Sequence, residues 1–340
     1  MNYLVSLGIM DPLYQGFGWL LAYLYSWMQN YGLVIIFFNL AIRILTMPLN
    51  FKTQRGMARQ LFLRDDINEI KRYYANDPQK AREEQMALMQ RHGMSMAGGS
   101  CFLQLIQFVI LIAFWRPIRS PLFYIAGVSA ENLSNIGNYL MSQGALTEKA
   151  LAQIGNQDVL LLSALRENQS ALAASIDKGW IRLDQVLDLK FLGMDLGKTP
   201  SFKPSIIFGA DTRATYLPLL VLVIVMIATM ILSMRLSRIN LPSFAKSKEE
   251  QERDKKNPAK QAQLEEDQAE RMNKSMNIFM PLMMLYTAFV IPAAMAMAWL
   301  VSNLVAILQA TLTYVYYTKP AREIYEERRQ EKQIPRRRKA

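Results

Sequence analysis

Apolar residues of this chain are gathered into long runs that carry no charge. These runs, interrupted only by one neutral histidine, are 12–42, 92–115, 214–234 and 275–318. A helix needs about 20 apolar residues to cross the hydrocarbon core of a bilayer. We therefore predict an all-α integral membrane protein with five transmembrane helices, in which Pro292 breaks the longest run. The predicted spans are 31–50, 97–117, 216–234, 275–291 and 293–317.

The segment 12–30 is also long and apolar enough to span, but its aromatic residues favour the membrane surface. Trp and Tyr prefer the level of the lipid headgroups, and the segment contains Tyr14, Trp19, Tyr23, Tyr25 and Trp27. A helix would align one apolar stripe consisting of Phe17, Leu20, Leu21, Leu24 and Met28. We predict that residues 1–30 form an outer interfacial amphipathic helix rather than a sixth span.

Positive charge is distributed unevenly among the segments between the predicted spans. Segments 52–100, 235–274 and 318–340 contain nine, ten and nine Lys or Arg residues, whereas the first 31 residues contain none. Segment 116–215 contains ten, offset by nine Asp or Glu residues. Because basic segments stay in the cytoplasm, the N-terminus is predicted outside and the C-terminus inside. Since no basic stretch precedes the first apolar run, no cleavable signal peptide is expected.

Two cytoplasmic segments lie between these spans. Residues 53–92 are predicted to form a cytoplasmic helical hairpin, in which Asp77 caps the second helix and Pro78 occupies its first turn. The basic, amphipathic arms are compatible with a solvated hairpin or with a docking surface for substrate, lipid headgroups or RNA. Residues 235–274 carry ten basic and eight acidic side chains, which is typical of a charged, partly helical loop.

The C-terminal segment 318–340 is predicted to be a basic cytoplasmic tail. Its last residues include the cluster Arg336, Arg337, Arg338 and Lys339. One interpretation is an anchor beside anionic lipids. The other is a contact with RNA, in which the basic side chains neutralise phosphates.

Residues 120–215 are predicted to form an extracytoplasmic helical region, with helices at 147–152, 158–167 and 172–175. This region contains no recognisable cluster of catalytic residue types. Segment 193–199 looks like a phosphate-binding loop, but only three residues separate its glycines where such a loop requires four. We predict no nucleotide site here.

Composition restricts the chemistry further. Hydrophobic residues make up 51% of the 340 residues and charged residues 20%. The separation of charge from the apolar runs argues against a soluble enzyme. One Cys and one His make a structural zinc site implausible. We therefore predict no cofactor, no metal and no catalytic residue, while the net charge of +11 indicates nucleic acid or anionic membrane as a partner.

Arg43 is a charged residue inside the first predicted span. It lies twelve residues beyond Tyr31, and a charge in the middle of a bilayer costs about 2.5–3.5 kcal/mol. None of the predicted spans contains an Asp or Glu. One interpretation is a hydrated cavity around Arg43. The other is snorkelling of the side chain toward an inner boundary near Pro48 and Lys52.

Polar residues at helical spacing favour the hydrated cavity. Three predicted spans carry such residues, which are Asn39 and Thr46, Gln104 and Gln107, and Ser302, Asn303 and Gln309. Hydrogen bonds between helices are an alternative explanation for the amides. That alternative leaves Arg43 unexplained, so we favour a cavity lined by these polar residues.

Five short motifs lie along the chain in a distinctive order. They are IRILTMPL at 42–49, YANDPQK at 74–80, GG at 98–99 followed by Gln107, FLGMDL at 191–196, and WLVSNL at 299–304 followed by Gln309. Together they resemble the bacterial YidC membrane-protein insertases of the YidC/Oxa superfamily. The resemblance covers most of the chain and says little about 127–185 and 240–270.

This resemblance implies an insertase and chaperone that takes nascent membrane proteins from the cytoplasm into the bacterial cell membrane without nucleotide hydrolysis. Five helices would surround a hydrophilic groove that is open to cytosol and lipid and closed outward. The polar residues above would line this groove, with Arg43 attracting the acidic tail of a substrate. Trp299 would lie on the apolar path along which the substrate slides. The basic tail would contact ribosomes, and a Sec translocon is a further candidate partner.

Two other functions compete with this one. In a small-solute or ion transporter, Arg43 would serve as an anion site, but related halves of the chain would be expected and no internal repeat is visible. A scaffold would hold partners through its hairpin and outer region and would not need Arg43. Replacing Arg43 separates the scaffold from the other two functions, and measuring solute flux separates those.

Overall fold

The computed structural model describes residues 10–74, 77–92, 109–110, 112–148, 158–240, 275 and 279–333. Contacts divide the chain into two compact units. The first consists of 1–44, 106–230 and 282–304, and the second of 45–105, 231–281 and 305–340. The protein is mostly helical, as predicted, and one two-stranded hairpin is the only sheet in the described ranges.

Helix α1 (Asp11–Met28) packs one face against the core of the first unit. That face contains the predicted apolar stripe, with Leu21 buried in the core and four residues partly buried against that core: Phe17, Leu20, Leu24 and Met28. The other face exposes a ladder of aromatic rings formed by Trp19, Tyr23 and Trp27. Neighbouring ring centroids in this ladder are 5.9 Å apart. Such a face suits the headgroup level, and the interfacial location stays a prediction.

Helix α2 (Tyr31–Gln60) is longer than the predicted span 31–50. Asn30 caps its first turn, because its Oδ1 accepts a hydrogen bond from the Leu33 amide at 3.1 Å. Pro48 lies inside the helix without ending it. Most residues that follow Pro48 are of types that favour helix, among them Lys, Gln, Arg, Met and Ala. The boundary predicted at residue 53 therefore falls within α2.

The second unit contains the predicted helical hairpin. A 3-10 turn (Leu61–Leu63) leads into α3 (Arg64–Tyr73), and α4 (Pro78–Arg91) runs back. Asp77 Oδ1 accepts a hydrogen bond from the Lys80 amide at 3.1 Å, which confirms the predicted cap. The two arms share a small buried core that consists of Leu63, Ile67 and Met89.

Region 120–215 of the first unit, which was predicted to be extracytoplasmic, contains more regular structure than its sequence indicated. Its elements are α5 (Pro121–Tyr124), α6 (Ala130–Ser142), α7 (Val159–Glu167), α8 (Gln169–Asp177), a 3-10 turn (Leu183–Gln185), β1 (Lys190–Phe191), β2 (Met194–Asp195) and α9 (Pro204–Ile207). Helices α7 and α8 confirm the predictions at 158–167 and 172–175. The helix predicted at 147–152 lies mostly outside the described residues.

Helix α6 and the β-hairpin were missed by sequence reasoning. Ser129 caps α6, because its Oγ accepts a hydrogen bond from the Asn132 amide at 3.2 Å. The buried face of α6 has helical spacing and includes Leu133, Ile136 and Leu140. In the turn between the strands, Leu192 and Gly193 have φ of 49° and 77°, and glycine adopts such angles without strain. Segment 193–199 therefore begins within this hairpin.

Three of the described helices are long and apolar enough to cross a bilayer. These are the first part of α2 (Tyr31–Pro48), α10 (Arg213–Ile239) and the helix that begins at Ala293. Before the last of these lies the shorter α11 (Phe279–Ala288), so the longest apolar run breaks beside Pro292 as predicted. The predicted span 97–117 lies mostly outside the described residues, and the count of five spans stays a prediction.

The last apolar helix does not end where the fifth span was predicted to end. Helix α12 (Ala293–Thr313) passes through a wide π-type turn (Tyr314–Thr318) into α13 (Lys319–Gln333). The predicted tail therefore begins as a helix. The wide turn lies beside Pro320, whose nitrogen has no hydrogen to donate to the preceding turn.

Asp158 is fully buried at the start of α7. Its two carboxylate oxygens accept hydrogen bonds from the amides of Leu122 and Phe123 at 3.0 and 2.9 Å. Burial raises the pKa of Asp158 to about 8, although these two hydrogen bonds lower it. The folded state therefore keeps a proton that the unfolded state releases near pH 4. The resulting stability is complete below about pH 4 and is lost as the pH rises to about 8.

We expect the free energy of unfolding to fall by about 1 kcal/mol per pH unit between about pH 5 and 8. The measurement is thermal unfolding of the purified protein in detergent across this range. Asp158→Asn should flatten the slope, because its amide does not titrate. Asp184→Asn, which changes an exposed carboxylate of the same region, should leave the slope unchanged. Equal slopes for wild type and Asp158→Asn would contradict the role of Asp158.

Candidate functional site

Asn39 and Ser302 join α2 to α12 within the first unit. Asn39 is 4% exposed, and its Nδ2 donates to the Ile35 carbonyl at 2.9 Å. Its Oδ1 accepts a hydrogen bond from the Ser302 hydroxyl at 3.1 Å. Two polar residues predicted at one site, 263 positions apart in the chain, therefore meet between apolar helices.

Asn303 joins α12 to α10 in the same unit. Its Nδ2 donates to the Met226 carbonyl at 3.1 Å and lies 3.5 Å from Thr229 Oγ1. Such contacts hold apolar helices together where no water competes. The alternative interpretation of the amides as links between helices is therefore confirmed for Asn303. Together with the Asn39–Ser302 pair, it connects the three long apolar helices.

Arg43 lies on α2 one helical turn beyond Asn39, so the two residues lie on the same face of the helix. Arg43 is half-buried. The next two residues, Ile44 and Leu45, are 66% and 75% exposed. Helix α2 therefore turns its apolar side chains outward here and places Arg43 on the side of the Asn39–Ser302 pair.

The charge of Arg43 determines what this arrangement can do chemically. A guanidinium stays protonated in proteins, and it attracts an anion more strongly in apolar surroundings than in water. Segments 31–48, 213–239 and 293–313 contain no Asp or Glu, so a carboxylate that reaches Arg43 comes from outside them. Among the described residues, no group of three or more His, Cys, Asp or Glu could hold a metal ion.

Apart from Trp299, the remaining predicted site residues lie in the second unit or outside the described part of the chain. Thr46 and Gln309 are half-buried and belong to the second unit. The other predicted residues lie outside the described part of the chain, and they are Gln104, Gln107, Arg336, Arg337, Arg338 and Lys339.

Trp299 lies in the packed core of the first unit, although it was assigned to an outer apolar path. It is 8% exposed, and its ring centroid is 5.5 Å from that of Trp115. On the same helix, Leu304 is 51% exposed. Trp299 is therefore a packing residue, because the helix turns it inward and turns Leu304 outward.

Asn240 is a buried polar residue that sequence reasoning missed. In the second unit its Nδ2 donates to the Ala310 carbonyl at 2.8 Å, and its Oδ1 accepts from the Thr318 hydroxyl at 2.9 Å. It thus ties the end of α10 to α12 and to the π-type turn. Its only signal in the sequence is an amide six residues beyond the apolar run 214–234, and the charged residues around it, among them Arg235 and Arg238, obscured it.

The sequence of this chain is similar to a known protein family and to several known proteins. Residues 23–320 match the model of the family described as 60Kd inner membrane protein. The chain is 38% identical over 100 residues to the membrane protein insertase YidC of Clostridium tetani, and the match covers 29% of this chain and 44% of that protein. It is 39% identical over 94 residues to the membrane protein insertase MisCA of Bacillus subtilis, covering 26% and 36%.

A third relative shows the same partial coverage. The membrane protein insertase YidC of Caldanaerobacter subterraneus is 33% identical over 110 residues, which cover 32% of this chain and 53% of that protein. The chain therefore matches about half or less of the length of these relatives.

Proposed function

The chain belongs to the 60Kd inner membrane protein family, and from this membership we propose that it inserts nascent membrane proteins into the plasma membrane of a bacterium. In this proposal five helices cross the bilayer, with the N-terminus outside and the C-terminus inside. The related proteins that carry the name insertase support this activity.

The observation that carries the proposal is Arg43 on an apolar helix, one turn from the part-buried Asn39–Ser302 pair. A guanidinium in the apolar layer of a membrane is costly unless it holds water or an anion. A hydrated groove around Arg43 meets this requirement. The groove would accept the polar tail of an incoming protein from the cytoplasmic side, and its lining would include Asn39 and Ser302, whereas Asn303 links α12 to α10.

Such a groove would lower the barrier to insertion in two ways. Water in the groove shortens the dry distance that the polar tail must cross. The guanidinium offsets part of the cost of removing an acidic tail from bulk water. Neither contribution requires the energy of a nucleotide, so insertion in this proposal is independent of nucleotide hydrolysis.

The apolar segment of the substrate would leave the groove along exposed side chains of α10 and α12. We place this path on Val221, Ile224, Val225 and Leu304, which are 42% to 58% exposed. They replace Trp299, which is packed in the core. Apolar side chains at the lipid boundary do not hold a passing helix tightly, because lipid tails are equally apolar.

The partners follow from this direction of transport. Nascent membrane proteins are the substrates, and the basic tail is proposed to contact ribosomal RNA and anionic lipids. A Sec translocon is proposed as a further partner for substrates with larger outer domains.

Insertion by the purified full chain in sealed proteoliposomes without nucleotide tests this function. The substrate is a short single-span protein with an acidic tail, and insertion is scored by protection of that tail from added protease. Protection above empty liposomes is expected. Absence of protection with folded, correctly oriented protein would contradict autonomous insertion. Flux of small anions in the same vesicles would instead support a transporter.

A further inference from the structure

Residues 187–198, here called the outer strap, lie across the junction between α1 and α2. The Asp188 amide donates to the Tyr25 hydroxyl at 2.8 Å, and the Asp188 carbonyl accepts from the Tyr31 amide at 3.0 Å. Asn30 Nδ2 donates to the Lys190 carbonyl at 2.9 Å. The outer strap therefore fixes the first residues of α2 through backbone groups.

The side chain of Phe191 packs tightly against the first turn of α2. A Cβ atom added to Gly32 would lie 2.3 Å from Phe191 Cγ, so only glycine leaves room for the ring. The outer strap thus packs directly on the first turn of α2 with no space for water between them.

The same strap also caps α12. The amides of Ala293 and Ala294, the first two residues of that helix, donate to the carbonyls of Lys198 and Leu196 at 2.8 Å each. Helix amides at this position have no partner within the helix. The outer strap therefore holds the outer ends of both helices that carry the Asn39–Ser302 pair, about 12–14 Å along their axes from that pair.

Helix α7 contacts the outer strap through polar side chains, near both ends of the strap and between them. Near one end Arg166 forms an ion pair with Asp188 at 3.2 Å and donates to the Leu187 carbonyl at 2.8 Å. At the other end Lys198 forms an ion pair with Glu167. Between them the Ser163 hydroxyl donates to Asp195 Oδ2 at 3.0 Å. The three α7 residues, Ser163, Arg166 and Glu167, have the i, i+3, i+4 spacing of one helix face.

From these contacts we infer a function for the outer region. Helix α7 is a clasp that keeps the outer strap closed over α2 and α12 and so blocks ions from passing through the groove. This inference rests on the proposed hydrated groove, because a wet groove open at both ends would leak ions. A groove that carries Arg43 needs a tight outer seal to keep the membrane impermeable.

Reversing one charge of the clasp tests this inference. Glu167→Lys places a second ammonium beside Lys198, and combining it with Lys198→Glu restores an opposite-charge pair. Asp184→Lys is the matched control, because it breaks the exposed Arg182–Asp184 pair in the same region without touching the strap. The triple variant Ser163→Ala, Arg166→Gln, Glu167→Gln removes all three grips of α7.

Two measurements are made on each variant. Hydrogen exchange in the peptide containing Ala293 and Ala294 reports release of the strap, and potassium efflux from proteoliposomes reports the seal. Glu167→Lys is expected to raise both rates about fivefold, and the triple variant more. The double charge swap should return both toward wild type, and Asp184→Lys should change neither.

Either of two results would overturn the inference. Faster exchange with wild-type efflux would show that the strap is no seal, and unchanged exchange in both Glu167→Lys and the triple variant would show that α7 is no clasp. If the triple variant fails to fold, the single and swapped variants decide. Efflux is measured without a substrate protein. If the wild-type protein fails to insert a substrate, the proposed function is contradicted, and the efflux measurement still tests the seal.

Discussion

Arg43→Ala is expected to lower insertion of a substrate with an acidic tail roughly tenfold or more, whereas Arg43→Lys retains most of it. A hydrogen bond to a charged group contributes about 1.5–3 kcal/mol, and each 1.4 kcal/mol is a factor of ten in rate. Lysine keeps the positive charge and loses only the planar fork of donors. The measurement is protease protection of the tail in proteoliposomes, taken as an initial rate.

A second substrate makes this experiment specific for charge. When the acidic residues of the tail are replaced by Asn and Gln, the Arg43→Ala variant should lose less activity, because hydration alone then serves the tail. Lys203→Ala is the control for loss of a basic residue, since Lys203 is exposed in region 120–215, away from α2 in the chain. Equal rates for wild type, Arg43→Ala and Arg43→Lys on the acidic tail would remove Arg43 from the mechanism.

Trp299→Ala is expected to destabilise the protein by about 3–5 kcal/mol, because removing a large aromatic side chain from a packed core leaves a cavity. The contact with Trp115 at 5.5 Å would be lost as well. Leu304→Ala on the exposed side of the same helix is the matched control, and it should change stability by less than about 0.5 kcal/mol. Thermal unfolding in detergent measures both.

The same pair of variants separates packing from substrate contact. Leu304→Ala should leave the melting temperature unchanged and slow insertion, because it removes part of the proposed apolar path. Trp299→Ala should lower the melting temperature. A Trp299→Ala protein with wild-type stability and slowed insertion would return Trp299 to the path and contradict its assignment as a packing residue.

Features that depend on nearby residues were predictable from the sequence. The Asp77 cap, the break beside Pro292 and the apolar stripe of α1 each follow from a few adjacent residues. The ends of α2 and α12 were not predictable in this way. A membrane span ends at the lipid boundary, whereas a helix ends where its backbone hydrogen bonds stop. Helix α6 carried both a cap and a buried stripe, and sequence reasoning overlooked them.

Within the candidate site, the polar residues could be identified from the sequence, but the side of the helix toward which each side chain points could not. The polar residues of α2 and α12 were found because polarity is rare in an apolar helix, and Asn39 does meet Ser302. Periodicity does not tell which face of an entirely apolar helix points inward, so the burial of Trp299 could not be predicted from the sequence. Asn240 was missed because the pairing of its amide with Ala310 and Thr318 depends on tertiary structure alone.

The capping of α12 by the outer strap also orders events in the protein's own biogenesis. Leu196 and Lys198 are synthesised roughly 95 residues before Ala293 and Ala294, whose amides donate hydrogen bonds to their carbonyls. At translation rates of about 5–20 residues per second, this delay lasts on the order of 5–20 seconds. During that interval the outer strap lacks its hydrogen bonds to α12. These bonds form only after α12 has been synthesised.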